Sequence, residues 1–204
     1  MRTLRYRRSG KRGFREALTA QGVRAGQRVV FVDELRVGLI GQVRRRWTVR
    51  GVKWCPRVER SYKWRYLQVA VDPLSGQVWQ RWSGRLGKEA AVAALSAWRA
   101  LGVAVVVWEN AGSHRAREVR EVGVALVYLP AYSPELHPVA RVLCAVGRCV
   151  AGVVDGVLAA KLAAVAGALG GLRDGMVRLV GWDWIREALE ACRAINELWL
   201  RDWY

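Results

Sequence analysis

Cysteine and histidine are scarce in this chain of 204 residues, and neither is placed for zinc binding. The four cysteines include no Cys-x-x-Cys pair and have no histidine at zinc-finger spacing. They are Cys55, Cys144, Cys149 and Cys192. The two histidines, His114 and His137, lie far apart in the sequence. We therefore expect reduced, structural thiols, as in a cytosolic protein.

Long apolar runs are also absent. The longest uncharged stretches are Val122 to Pro134, which contains two prolines, and Leu162 to Leu172. Both are too short to span a bilayer, which takes about 20 apolar residues. The basic start of the chain is not followed by an apolar segment, which excludes a secretory signal. The sequence predicts a soluble, cytoplasmic protein.

Acidic residues are the third shortage, because 17 Asp and Glu face 34 Lys and Arg and leave a net charge of +17. Up to Arg65 the chain carries nineteen basic residues and four acidic ones. Such a charge attracts polyanions, of which nucleic acid is the commonest. An RNA-associated structural protein, or arginine-rich usage in a GC-rich genome, would also produce this composition. An apolar content of 52% indicates a folded chain.

The order of apolar segments predicts a mixed α/β sheet of about five strands. Strands are expected first as an antiparallel meander and then in alternation with helices. The expected strands are Arg28–Val32, Gln42–Val49, Trp64–Val71, Gln77–Trp82, Val103–Trp108 and Val124–Leu129. The expected helices are Lys88–Leu101, Ser113–Val122, Pro138–Val150, Leu158–Leu169 and Trp182–Trp199.

Two acidic residues follow buried strands, and a proline-rich segment follows a third. Asp33 comes after the first apolar strand and Glu109 after a later one. Carboxylates on neighbouring strand ends can hold a divalent ion, although each acid taken alone is more typical of a solvated strand end than of a ligand. The segment Leu129–Pro138 contains three prolines, which forbid a regular helix and make a stiff elbow before the next helix.

These landmarks together resemble the mariner superfamily of DDE transposases, in its bacterial insertion-sequence branch. Phe31-Val32-Asp33-Glu34 is similar to the first catalytic strand of that family, and Arg44-Arg45-Arg46-Trp47-Thr48-Val49-Arg50-Gly51 to its Arg-x-x-Trp-x-x-Arg-Gly segment. The segment from Val106 to Arg115 resembles the second catalytic strand. Leu129–Pro138 resembles the signature Leu-Pro-Pro-Tyr-Ser-Pro-Glu-Leu-Asn-Pro. The resemblance covers about residues 28–152.

The resemblance implies an RNase H-like fold with a helical C-terminal tail, and DNA cleavage and strand transfer as the activity. We expect a basic arm over residues 1–27, the DDE domain over 28–152 and a helical extension over 153–204. Asp33 and Glu109 would be catalytic and would bind Mg²⁺ or Mn²⁺, the metal ions of the family. DNA would be held by basic side chains and by one histidine. These are Arg44, Arg45, Arg46, Arg50, Lys53, His114 and Arg115.

The implied partner is DNA, and the resemblance is compatible with a homodimer, with no small-molecule cofactor and no membrane. We expect a bacterial, cytoplasmic protein that is associated with the nucleoid when it is bound to DNA. Full-length relatives carry helix-turn-helix modules ahead of the catalytic domain. This chain begins about thirty residues before Asp33, so we expect those modules to be missing and autonomous transposition to be lost.

The chain departs from the family pattern at the acidic triad. Glu109 stands where the family has Asp, which moves the carboxylate outward by roughly 1 Å. Ala140 stands where the third carboxylate belongs, and His137 replaces the usual Asn. Alanine cannot bind a metal ion, so metal binding is in doubt. The acids that could replace this carboxylate are Glu135, Glu34 and Asp155, although Glu34 is expected to point away from Asp33 on a regular strand.

Three hypotheses follow from the sequence. The first is a transposase catalytic domain by descent that is now impaired or inactive. The second is a weak metal-dependent nuclease that uses Asp33 and Glu109. The third is a non-catalytic protein that binds DNA or RNA with the basic surface of an RNase H-like fold. Metal binding discriminates between them, because two-metal chemistry predicts measurable Mg²⁺ or Mn²⁺ binding that disappears in Asp33→Ala.

Overall fold

A five-stranded sheet forms the centre of the molecule. The computed structural model describes residues 13–24, 26–40, 47–53, 55, 59–130 and 133–201, with side chains up to residue 192. The strands are β1 (Arg28–Gly38), β2 (Trp64–Val71), β3 (Val78–Ser83), β4 (Val103–Trp108) and β5 (Ala125–Tyr128). The α-helices are α1 (residues 13–20), α2 (Lys88–Ala100), α3 (Arg117–Arg120), α4 (Pro138–Val150), α5 (Leu158–Gly171), α6 (Met176–Val180) and α7 (Asp183–Arg201).

The strand order in the sheet is β3-β2-β1-β4-β5. β1 pairs antiparallel with β2, and β2 with β3, whereas β4 runs parallel to both β1 and β5. The antiparallel strands come first in the chain, and the parallel strands alternate with helices. This arrangement confirms the predicted mixed α/β fold of the RNase H-like type.

β1 is longer than the sequence predicted, since it continues past Asp33 to Gly38. Its second half pairs only with β2, and the register runs from Phe31 opposite Val71 to Gly38 opposite Trp64. The predicted strand Gln42–Val49 falls mostly outside the described residues, and residues 47–49 are not in a strand. The third antiparallel strand is instead β3, so the meander is complete without that segment.

The predicted helix Ser113–Val122 is wrong, because two short helices take its place. A 3-10 turn covers Gly112–Arg115, and α3 covers only Arg117–Arg120. Ala116, between them, has extended backbone angles (φ −56°, ψ 149°) that no helix can include. The 3-10 turn, which follows β4 closely, places His114 against Trp108 at the end of that strand.

Alternate side chains of the strands enter two apolar cores, one on each face of the sheet. On the first face, residues such as Phe31 and Val107 pack against α4, α5, α6 and α7 and against Phe14 of α1. On the second face, Val32 and Trp108 pack against α2 and α3. The domain boundaries at residues 27 and 152 stay predictions, but buried side chains from both flanking segments share the first core. Within the described residues, no helix is long and apolar enough to cross a bilayer.

Candidate active site

The ends of β1 and β4 place Asp33 and Glu109 at the same edge of the sheet. The two strands are parallel and pair Phe31 with Val107. Asp33 and Glu109 each lie two residues beyond that pair, so the equal offset brings them to equivalent positions. β4 ends at Trp108 while β1 continues, which opens a cleft beside Asp33. The structure therefore brings together the two acids that the sequence singled out.

The proline elbow places Ala140 beside them. Pro134–Leu136 form a 3-10 turn, His137 is extended (φ −107°, ψ 92°), and Pro138 begins α4. The first backbone N–H of a helix has no partner within the helix, so a proline, which lacks this N–H, costs nothing at that position. α4 can therefore start directly at the elbow. Ala140 falls in the first turn of α4 and faces the cleft.

The resulting cavity has a volume of about 390 Å³. It is lined by the ends of the two parallel strands, the elbow and the first turn of α4. The lining residues are Asp33, Glu109, Asn110, Ala111, Leu129, Pro130, Ser133, Pro134, His137 and Ala140. All three positions of the predicted triad thus border one cavity, but only two of them carry a carboxylate.

Burial changes the acidity of Asp33. It raises the pKa of this carboxyl from its usual 3.8 to about 7. The negative charges of Glu34 and Glu109 raise it further, while a hydrogen bond from the Glu34 amide to Asp33 Oδ1 (2.8 Å) acts in the opposite direction. Near neutral pH, Asp33 is therefore a mixture of acid and carboxylate.

His137 is a second buried titratable group of this cavity, with 7% of its surface exposed. Its ring approaches the Val32 backbone, but neither ring nitrogen makes a hydrogen bond of good geometry to a residue that the structure describes. Burial lowers the pKa of His137 from 6.5 to about 4, so the imidazole is neutral at physiological pH. A buried polar group without a partner costs about 1–3 kcal/mol.

His114 lies on the opposite face of the sheet and is 5% exposed. Its ring stacks on Trp108 with a centroid separation of 3.7 Å. The hydroxyl of Tyr128 donates to the His114 carbonyl oxygen (2.7 Å). This burial argues against the predicted contact of the His114 ring with DNA.

Glu34 makes contacts that its sequence position does not predict. As expected, it points away from Asp33, and its Oε1 accepts a hydrogen bond from Trp108 Nε1 (3.1 Å) on the second face. Its carboxylate nevertheless comes within 4.8 Å of ligand atoms of both Glu109 and His114. Glu109 is exposed beyond the end of β4, so it can be approached from both faces of the sheet.

The other acids considered as replacements for the third carboxylate do not line the cavity. Asp155 instead forms a buried ion pair with Lys161 (2.8 Å), beyond the far end of α4. Glu135 belongs to the 3-10 turn of the elbow, and it is absent from the cavity lining. Ala140 therefore has no carboxylate substitute among the described residues that border this cavity.

Three of the basic residues predicted to bind DNA are exposed in the structure, namely Arg50, Lys53 and Arg115. The guanidinium of Arg115 lies 5.3 Å from the ring centroid of Tyr128, which orients it near the ends of β4 and β5. The cluster Arg44–Arg46 lies outside the described residues. Contact of these side chains with DNA stays a prediction.

Comparison with known proteins agrees with this arrangement. Residues 28–148 match the family described as DDE superfamily endonuclease. No curated protein matches the chain. Among solved structures, the chain is similar to the Mos1 transposase paired-end complex with the left transposon end, with a TM-score of 0.64, 18% identity and coverage of 90% of this chain and 60% of that one.

Two further structures of the same transposase are similar to the chain. The Mos1 mariner paired-end complex with Mn has a TM-score of 0.62 and 18% identity, over 92% of this chain and 61% of that one. The paired-end complex with Mg has a TM-score of 0.60 and 20% identity, over 93% and 62%. The chain thus spans about three fifths of the length of these relatives. At 18–20% identity, the likeness is one of fold.

Proposed function

This chain belongs to the DDE superfamily of endonucleases, and we propose that it descends from the catalytic domain of a mariner-type transposase whose DNA cleavage is impaired. The bacterial insertion-sequence branch, suggested by the elbow sequence, is part of this proposal. The protein would act on DNA in the bacterial cytoplasm.

The observation that supports impairment is the position of Ala140. It borders the same cavity as Asp33 and Glu109, at the place where the family resemblance puts the third carboxylate. A methyl group offers no ligand atom, so only two carboxylates remain at the triad positions of this cavity. The family resemblance implies three carboxylates that hold two metal ions, and the two carboxylates present here do not fit that arrangement.

DNA binding does not require the triad, and we propose that it is retained. Arg50, Lys53 and Arg115 are exposed, and the chain carries a net charge of +17. Lysine and arginine bind phosphates regardless of sequence, so such a surface positions a duplex without selecting a site. Binding without cleavage is therefore the expected behaviour of the unmodified chain.

The test is a plasmid-nicking assay with Mn²⁺ on the unmodified chain and on variants that restore the triad. We expect no nicking by the unmodified chain, and nicking by Ala140→Glu and more strongly by Ala140→Glu combined with Glu109→Asp. Ala140→Gln is the matched control, because it fills the same space without a charge and should stay inactive. Nicking by the unmodified chain that is lost in Asp33→Ala would instead favour a weak nuclease.

A non-catalytic nucleic-acid-binding protein is the second candidate, and the excess of basic residues favours it. Under this second candidate function, neither Ala140→Glu nor Ala140→Glu combined with Glu109→Asp should cleave DNA, although both variants should fold and bind DNA. Circular dichroism and a gel-shift assay on the same preparations would distinguish this result from misfolding.

A further inference from the structure

Three side chains with metal-binding atoms converge on the second face of the sheet, at the edge that carries the triad positions. Glu34, Glu109 and His114 each offer one ligand atom, and these atoms all lie within 4.8 Å of one another. The side chains of Glu34 and His114 are 8% and 7% exposed, so the backbone and the surrounding core fix them. Glu109 is exposed and can adjust its position. The cluster therefore combines two fixed groups with one adjustable carboxylate.

The hydrogen bonds around the two fixed groups orient them. Nδ1 of His114 lies 3.3 Å from the Glu109 carbonyl oxygen, and Trp108 Nε1 donates to Glu34 Oε1. With its proton on Nδ1, the imidazole directs the Nε2 lone pair at Glu34. A metal-binding histidine usually makes this kind of bond, from its other ring nitrogen to a carbonyl oxygen.

The distance between the two fixed ligand atoms suits a metal ion. His114 Nε2 and Glu34 Oε1 are 3.4 Å apart. A charge-assisted hydrogen bond between such groups would be shorter, about 2.7–2.9 Å. Two ligands bound to one ion through bonds of about 2.1 Å lie about 3.0–3.4 Å apart, depending on the coordination geometry.

We propose that Glu34, Glu109 and His114 form a mononuclear site for a divalent transition ion such as Mn²⁺. One imidazole nitrogen and two carboxylate oxygens suit Mn²⁺ better than Mg²⁺, which prefers oxygen ligands alone. Of the three residues, only Glu109 belongs to the predicted triad. The site therefore lies on the second face of the sheet and does not need a carboxylate at position 140.

Two neighbouring residues, Asp33 and His137, add to the evidence that this edge of the sheet suits a cation. Asp33, Glu34 and Glu109 bring three carboxyl groups together, and among the described ion pairs only His114 faces any of them. His137, more than nine-tenths buried, lines the adjoining cavity with both ring nitrogens lacking a good hydrogen bond to any described residue. In a chain of net charge +17, this local excess of negative charge and lone pairs is unusual.

Mn²⁺ binding to the metal-free full chain, followed by electron paramagnetic resonance, tests the proposal. Mn²⁺ is the better probe, because zinc would also bind the exposed thiols Cys144 and Cys149. We expect one bound ion per chain, a tenfold excess of Mg²⁺ that fails to displace it, and ¹⁴N modulation from an imidazole in pulsed spectra. His114→Gln should abolish the modulation and weaken binding at least tenfold.

Asp33→Asn is the discriminating variant. An ion at the family position would need Asp33 and ignore His114, whereas the proposed site keeps its ¹⁴N signal in Asp33→Asn. Glu34→Gln, which still offers an acceptor to Trp108, is the second variant if His114→Gln fails to fold. No bound Mn²⁺, no ¹⁴N modulation in the unmodified chain, or binding lost only in Asp33→Asn would each overturn the proposal.

The proposed site is independent of DNA cleavage. A chain without this Mn²⁺ centre whose Ala140→Glu variant still nicks DNA would contradict the metal site alone. A chain with the centre whose restored variants never cleave DNA would contradict only the proposed descent of function.

Discussion

Asp33 and His137 line one cavity, and burial moves their pKa values in opposite directions. In the metal-free protein the pKa of Asp33 is raised from 3.8 to about 7. Between these two values the unfolded chain has lost the proton that the folded chain keeps, so stability falls as the pH rises. The contribution of Asp33 is fully present below pH 3.8 and is lost by about pH 7.

His137 gives the opposite dependence. Its pKa is lowered from 6.5 to about 4, so below pH 6.5 the unfolded chain binds a proton that the folded chain excludes. Stability therefore falls as the pH decreases from 6.5 to about 4. Over this window the two contributions have opposite slopes, and each conceals the other in the unmodified protein.

Single substitutions should reveal the two contributions separately. As the pH rises from 4 to 6.5, Asp33→Asn should become more stable relative to the unmodified chain, because only the unmodified chain loses the contribution of Asp33. The gain in relative unfolding free energy over this range is at most roughly 3 kcal/mol. His137→Asn should become more stable relative to the unmodified chain as the pH falls from 6.5 to 4. Urea unfolding at pH 4.5, 5.5 and 6.5 in the presence of a chelator measures both.

The double variant Asp33→Asn with His137→Asn is the control for that experiment. Its pH profile should run parallel to that of the unmodified chain, because the two contributions are removed together. Parallel profiles for the single variants as well would mean that neither group is buried as the structure indicates.

The sequence predicted part of this site. Asp33 and Glu109 could be found because each follows an apolar strand, and Ala140 because the elbow resembles a family signature. The contacts of Glu34 and His114 could not be found, because they depend on where β4 ends. Glu109 lies beyond that end and is open to both faces, and the 3-10 turn Gly112–Arg115 returns His114 to Trp108. Strand alternation alone separates Glu34 from Asp33 and does not include this return of the chain.

At the scale of the elements, Lys161 of α5 fixes the far end of α4. Its ammonium group donates to the carbonyl oxygens of Val150 and Val153 (both 3.0 Å) and pairs with Asp155 (2.8 Å). The side chains of Lys161 and Asp155 are only 10% and 9% exposed. Because the last carbonyls of a helix lack partners within the helix, this ammonium replaces a C-terminal cap of α4.

Lys161→Met should destabilise the protein by about 3–5 kcal/mol, because it leaves the Asp155 carboxylate buried and unpaired. Lys88→Met is the matched control: Lys88 pairs with Glu118, but both side chains are about half exposed, so little change is expected. Urea unfolding at pH 7 measures both. Combining Lys161→Met with Asp155→Asn should recover part of the loss. Equal effects of Lys161→Met and Lys88→Met would contradict this account.

Elements with sharp boundaries in the sequence were predicted best. β4 lies between Gly102 and Glu109, and α4 begins at a proline, so both have the predicted bounds. β1 is longer than its sequence predicts, because two acids after an apolar run indicate a strand end, whereas pairing with β2 carries the strand to Gly38. Pairing partners distant in the sequence decide such boundaries, and local composition does not contain them.

At the scale of the whole molecule, the balance of charge separates the sheet edge from the rest of the chain. The molecule has a net charge of +17, yet Asp33, Glu34 and Glu109 gather at one edge of its sheet. The basic residues predicted to contact the DNA backbone include Arg50 and Lys53, which are exposed and do not belong to this edge. Substitutions can therefore change phosphate binding without changing the acidic edge, and the reverse.

Residues 1–12 carry six basic residues and no acidic one, and they allow a test of the charge argument. Each phosphate contact contributes about −0.9 to the slope of log K against log salt for duplex DNA. Replacing the six basic residues by glutamine, at unchanged length, should reduce the magnitude of this slope by roughly 3–5. Fluorescence anisotropy with short duplexes at several salt concentrations measures this slope.

The ratio of affinities for unrelated sequences should stay the same in this variant, because phosphate contacts carry no sequence information. An unchanged slope would show that these residues do not contact the phosphates, and a changed ratio would show that they contact bases.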